Sequence, residues 1–101
     1  MARKDQRAYS KVSAEAAYLL GQMIRLNRKE RRFSEAELAE RIGVSRETIQ
    51  RIQKGDLKVG IGLVFEAAYI VGVPLFDTSG ERLSSKLDRV NDKLALLPKH
   101  I

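Results

Sequence analysis

A chain of 101 residues with 44% hydrophobic content is long enough for one domain with a real core and too apolar for a disordered segment. It has no cysteine, which excludes a disulfide framework, a thiolate metal site and a thiol nucleophile. The net charge of +6 lies entirely before residue 34: residues 1–33 hold nine Lys and Arg against three Asp and Glu, while residues 34–58 and 59–101 each balance five against five. That placement favours a polyanionic partner; a solvated basic face is the plainer alternative.

In chain order, residues 1–11 are polar and basic, with Arg3, Lys4 and Arg7 and no apolar run behind them. They read as a flexible arm rather than a secretory signal. No later segment approaches the length of a membrane span, so a bacterial cytoplasmic, nucleoid-associated protein is expected. A first helix is predicted from Ser13, its cap, to about Arg31, with Glu15 at the positive end and Arg28, Lys29 and Arg31 at the negative end. Ala16, Leu19, Leu20, Met23, Ile24 and Asn27 are expected to form one apolar stripe along it.

Residues 33–55 carry the strongest local signals. Ser34 and Glu37 have capping-box spacing, and Leu38, Ala39 and Ile42 then recur at helical intervals. Gly43 supplies a left-handed stop, Val44 plugs the corner, and Ser45 caps a third helix whose Ile49 and Ile52 point inward. Arg46, Glu47, Gln50 and Lys54 are left on its outward face before Gly55 ends it.

After a loop over residues 55–62, a fourth helix is predicted from Ile61 to Val71. It is apolar almost all round and is expected to close the core against the two preceding helices. Gly72 ends it and Pro74 keeps residues 73–76 extended. Thr78 and Glu81 have capping-box spacing for a fifth helix, about Ser79 to Leu96. There Leu83, Leu87, Val90, Leu94 and Leu97 recur at steps of four, three, four and three, an a/d seam about two heptads long. With the core already closed by the fourth helix, this seam is assigned to dimerisation; packing on the domain's own core is the alternative. The expected division is an arm at 1–11, a domain at 12–77, and a dimerisation helix with a short tail at 78–101.

The residues of catalysis are missing. His100 is the single histidine, so there is no triad and no histidine pair for zinc, and Gly60-Ile61-Gly62 is a lone glycine pair without a strand before it. Asp88 and Asp92 lie beside Arg89 and Lys93 and read as solvated pairs. No enzyme activity, metal or cofactor is expected.

Leu38-Ala39, Gly43-Val44-Ser45, Ile49, Ile52 and Lys54-Gly55 resemble the helix-turn-helix of the lambda-repressor/Cro-like (Xre) superfamily. The resemblance implies an all-α, five-helix, lambda-repressor-like DNA-binding domain, with the motif formed by helices 2 and 3. Carried over by position, it puts Arg46, Glu47, Thr48, Gln50 and Arg51 on base edges in the major groove. Arg46 or Arg51 would grip guanine through O6 and N7, Gln50 would pair with adenine, and Glu47 would accept from cytosine. Glu47 and Arg51 also have the spacing of an i, i+4 ion pair, which is the alternative role for both. Ser34 and Lys54 match phosphate-contacting positions, and Arg28, Arg31 and Arg32 at the basic end of helix 1 are expected to add to them. One position departs from the family: Glu35 stands where a glutamine commonly bonds phosphate and braces the reading helix.

A longer resemblance runs through residues 62–68, 72–77 and 92–99 to the HipB-like antitoxins, which are encoded beside HipA-family kinase toxins. It implies a homodimer that binds an inverted-repeat operator in double-stranded DNA, represses its own operon and neutralises a kinase-like toxin. The alternatives are a stand-alone, phage-like Xre regulator without a toxin, or an interaction module whose DNA face is vestigial.

Overall fold

The computed structural model describes residues 8–76 and 79–101. Five helices follow in order: α1 (Lys11–Glu30), α2 (Glu35–Ile42), α3 (Arg46–Gln53), α4 (Ile61–Val71) and α5 (Leu83–Ala95). No strand occurs among the described residues.

The two motif helices begin and end on the local signals. Ser34 Oγ accepts from the Glu37 N–H at 3.0 Å and Glu37 Oε1 accepts from the Ser34 N–H at 3.0 Å, completing the capping box of α2. Gly43 ends α2 at φ 83°, with its N–H on the Ala39 carbonyl. Ser45 Oγ caps α3 by accepting from the Thr48 N–H at 3.2 Å, and Gly55 turns away at φ 75°. A methyl group on Gly43 would meet nothing within 4 Å, so glycine is needed there for its left-handed backbone alone.

α1 differs from its expectation in two ways. Its cap is Ser10, whose Oγ accepts from the Ser13 N–H at 3.1 Å, so the helix starts inside the segment expected to be an arm. The rest of that arm, residues 1–7, lies outside the described residues. The single stripe is in fact two. Ile24 is fully buried with Gly21 and Arg28 beside it and Leu20 against the core, whereas Ala16, Leu19 and Met23 face outward. Gly21 decides which side goes in: its would-be Cβ lies 2.3 Å from the Ile52 carbonyl oxygen, so only a glycine lets α3 approach this closely. The hydrophobic positions 16, 19 and 23 then point away from the core because 3.6 residues per turn puts them nearly opposite residues 21, 24 and 28.

The core is Ile24, Leu38, Ala39, Ile49, Ile52, Ala67, Ala68, Val71 and Val73. α4 runs over the predicted residues, but it packs on α1 and α2 rather than on the motif pair together. Its two small residues Ala67 and Ala68 are completely buried, while Ile61 and Tyr69 stay in water, so the helix is one-faced in spite of its composition. Its end is held by Asn27, which was expected among the apolar residues and instead donates from Nδ2 to the Val71 carbonyl at 3.2 Å.

α5 begins at Leu83, four residues later than expected. Ser79 and Gly80 have φ 52° and 85°, left-handed values that no helix start can include. Thr78, the expected cap, lies outside the described residues. Glu81 accepts instead from the Arg89 guanidinium, which holds the turn against the helix and lowers the Glu81 pKa. The interhelical packing belongs to α1–α4, and α5 stands apart from it with no buried residue.

Candidate nucleic-acid interface

The outward edge of α3 is held in place from beneath by one chain of polar side chains. At its buried end is Arg28, 7% exposed, with Nε donating to Gln53 Oε1 at 2.8 Å and Nη1 donating to the Phe33 carbonyl at 2.8 Å. Gln53, 5% exposed, passes the chain outward by donating from Nε2 to Glu35 Oε2 at 2.7 Å. The other Glu35 oxygen, Oε1, accepts from Arg46 Nε at 3.1 Å and from Gln50 Nε2 at 3.3 Å. The Glu35 side chain is 20% exposed and Arg46 is 66% exposed, so the acid is sheltered while the guanidinium is presented to solvent.

Burial pushes the Glu35 carboxyl up, but hydrogen bonds from Gln53, Gln50 and Arg46, with Arg28 nearby, outweigh it and leave the pKa below the ordinary value of 4.5. The carboxylate is therefore ionised at neutral pH and already matched by arginine. Glu35 thus departs from the family's glutamine without leaving an uncompensated negative charge on this face.

The five residues expected on base edges are spread along the exposed side of α3, and only some of them are bound. Arg46 and Gln50 converge on Glu35. Thr48 shares a 3.0 Å hydroxyl contact with Ser45 at the start of the helix. Glu47 is exposed. Arg51 does not pair with Glu47: its Nε donates to Asp56 Oδ2 at 2.8 Å, which holds the Asp56 pKa below its usual 3.8 and ties the last turn of α3 to the following loop. The spacing allowed either partner, and the turn at Gly55 brings Asp56 back within reach.

The phosphate candidates divide. Ser34 and Lys54 are both exposed, at the start of α2 and the end of α3. Arg28 is committed to the interior chain just described. Arg31 lies over Gly72, its Nη1 3.5 Å from the Ile70 carbonyl, where it meets the negative end of α4. Arg32 turns the corner between α1 and α2 at φ 56°. Two basic residues not among the expected phosphate contacts, Arg25 and Lys29, line a groove of about 470 Å³ with Arg28, Ser34, Glu35, Ala36 and Arg46. Arg25 continues into a second groove of about 400 Å³ with Tyr18, Gln22, Gln50 and Lys54. Their signal was available: on α1 positions 25 and 29 fall between the buried face and the outer stripe. Gln53 had one too, as a polar residue four positions after buried Ile49.

This edge can present planar, bidentate donors and a ring of cations to a polyanion. Among the described residues no group of three or more His, Cys, Asp or Glu could hold a metal ion. The sequence matches the helix-turn-helix family over residues 24–76, more than half the chain. Comparison with curated proteins and with solved structures gives no match. The matched span begins at buried Ile24, takes in both motif helices and all of α4, and ends at Phe76. The chain therefore belongs to the Xre/lambda-repressor-like helix-turn-helix family of DNA-binding transcriptional regulators.

Proposed function

We propose that this regulator is a dimeric repressor that reads an inverted-repeat operator, and that it is the antitoxin of a HipBA-like operon. The observation that supports specific reading is the Arg28–Gln53–Glu35 chain, which sets Arg46 and Gln50 side by side on the exposed edge of α3. Preorganised donors lose less entropy on docking than free side chains do. Arg46, Glu47, Thr48, Gln50 and Arg51 read bases in the major groove. Ser34 and Lys54, with Arg25, Lys29 and Arg32 on the flank, hold phosphates. Arg28 acts through Gln53 and Glu35 rather than on DNA. The seam Leu83, Leu87, Val90, Leu94 and Leu97 packs on a second copy, which gives the two-fold symmetry an inverted repeat requires.

The antitoxin assignment is supported by the likeness of residues 62–68, 72–77 and 92–99 to HipB-like proteins. It is tested by affinity capture of the tagged chain from its own cells after nuclease treatment, with mass spectrometry of what is bound. Recovery of one stoichiometric kinase-like protein encoded next to it is the expected result. Recovery of the chain alone, from cells in which the neighbouring kinase-like protein is expressed, would contradict the assignment and leave a stand-alone regulator.

A further inference from the structure

The outer face of α1 carries an apolar stripe that the fold does not use. Val12, Ala16, Leu19, Met23 and Leu26 recur at steps of four, three, four and three, and all five are exposed. Val12, Leu19, Met23 and Leu26 are between 39% and 77% accessible. An exposed row of this kind on a helix whose opposite face is already in the core needs a cover. The α5 seam has the same steps in the same order, and its five residues are 47–59% accessible. The α1 row lies wholly within its helix, about 21 Å long; Leu83 to Leu94 of the other row lie within α5, and Leu97 follows two residues after its end at Ala95. Among the described residues these are two complementary apolar rows that the core leaves exposed.

We infer that the α1 stripe is the docking site for α5 of a second copy, so that two chains exchange their C-terminal helices across a two-fold axis. This rests on the proposed dimer and names the surface that receives the seam.

Three observations favour α1 over the partner's own α5. Pairing α5 with α5 would rely on two short heptads and leave both α1 stripes in water, whereas the exchange covers all four rows. α1 is already fixed by Ile24 and Gly21 in the core, so α5 docks on a rigid template and only one helix has to be ordered. Charge agrees with this. The residues immediately before the a positions are Glu15 and Gln22 on α1, and Lys86 and Lys93 on α5. Laid antiparallel with their centres aligned, the two helices bring Glu15 to Lys93, while α5 against α5 brings lysine to lysine. Among the described residues, Glu15 has a 3.8 Å contact with exposed Lys11. The contact is made twice in the dimer, which takes the covered surface to the order of 1,500 Å², the range of stable interfaces.

The occupied face is compatible with operator binding. Arg25 lines the groove next to α3, Tyr18 and Gln22 border both that groove and the stripe, and the stripe is centred about a third of a turn further round α1.

The test is exchange of charge between the two rows, read as mass in solution without DNA. Leu19→Glu with Met23→Glu alters the α1 stripe, and Leu87→Lys with Leu94→Lys alters the seam. The unaltered chain should be a dimer. Each variant alone should dissociate roughly a hundredfold more readily, as expected when central anchors are lost. An equimolar mixture should recover the dimer, because one α1–α5 contact is intact and the other now sets glutamates against lysines. An α1 variant as dimeric as the unaltered chain would overturn the inference, and so would a monomeric unaltered chain, which would assign both rows to another protein or to each other within one chain. A second measurement does not depend on the variants being well folded. The chain has no native cysteine, so Leu19→Cys and Val90→Cys protomers can be mixed and bridged with a short bismaleimide. Positions 19 and 90 are the centres of their rows and meet in either helix direction. A predominant 19–90 link supports the exchange; a predominant 90–90 or 19–19 link overturns it. Because no operator is present, either failure is separate from a failure of DNA reading.

Discussion

Glu35 sits on a face expected to meet phosphate, where a bare carboxylate would repel DNA. Its three donors offset that charge and join Arg46, Gln50 and Gln53 through one carboxylate. Glu35→Ala should destabilise the fold by about 1–3 kcal/mol, because buried Gln53 would lose the acceptor for its Nε2 and Arg28 would lose a nearby anion; urea denaturation measures this. The pH dependence follows from the direction of the shift. A carboxyl whose folded pKa is lowered adds stability that is complete above its ordinary value near 4.5 and is lost as pH falls through the folded value. Asp56, lowered from 3.8 by Arg51 and the Lys58 N–H, adds to the same loss. The urea midpoint should therefore fall as pH is taken from about 5 to about 3, and Glu35→Gln should flatten part of that fall. Two binding variants separate reading from holding. Arg46→Ala should cost about 1–3 kcal/mol and relax preference at one base pair per half-site, whereas equal loss on every sequence would contradict a base contact. Lys54→Ala should weaken all sequences alike and lower the salt slope by about one, and an unchanged slope would take it off the phosphate list.

At the scale of elements, what was legible in the sequence was local. The α2 cap box, the Gly43 stop and the Ser45 cap each depend on residues within four positions of one another, and all three appear in the structure as the spacing predicts. Two of the misplacements involve long-range contacts. The inward face of α1 is decided by the α3 backbone against Gly21, which no periodicity within α1 records. Arg28 and Gln53 join across twenty-five positions, so a basic residue near a predicted interface looked like a phosphate ligand when it is a strut inside the protein. The late start of α5 is local: Ser79 and Gly80 are both left-handed, and the Ser-Gly pair is a turn signal that the capping-box spacing of Thr78 and Glu81 overrode in the expectation. Gly21→Ala tests the first of these. The added methyl meets backbone oxygens of Ile52 and Gln53 at 2.3 and 2.8 Å, neither of which can rotate away. The α1–α3 contact must open, at a cost of about 1–3 kcal/mol in thermal or urea denaturation. A neutral result would mean that α3 does not lie this close. Under the proposed reading of DNA by α3, the same variant should also lose operator affinity.

At the scale of the molecule, the chain keeps its functions on separate surfaces. The core faces of α1–α4 hold the fold, the α3 edge with Arg25 and Lys29 offers donors and cations, and the rows on α1 and α5 offer apolar cover. A two-fold pair of such chains presents two reading helices in opposite senses, which fixes what kind of DNA they fit: an inverted repeat with half-sites about one helical turn, about 10 base pairs, apart. The most direct test is selection of duplex DNA from a random pool by the full chain and by its Arg46→Ala variant, followed by sequencing. The unaltered chain should enrich an inverted repeat of that spacing, and the variant should lose its preference at one symmetric pair of positions while keeping the spacing. A pool that the unaltered chain leaves unenriched, or one that both proteins enrich to the same sequence, would contradict the claim that the braced edge of α3 reads DNA.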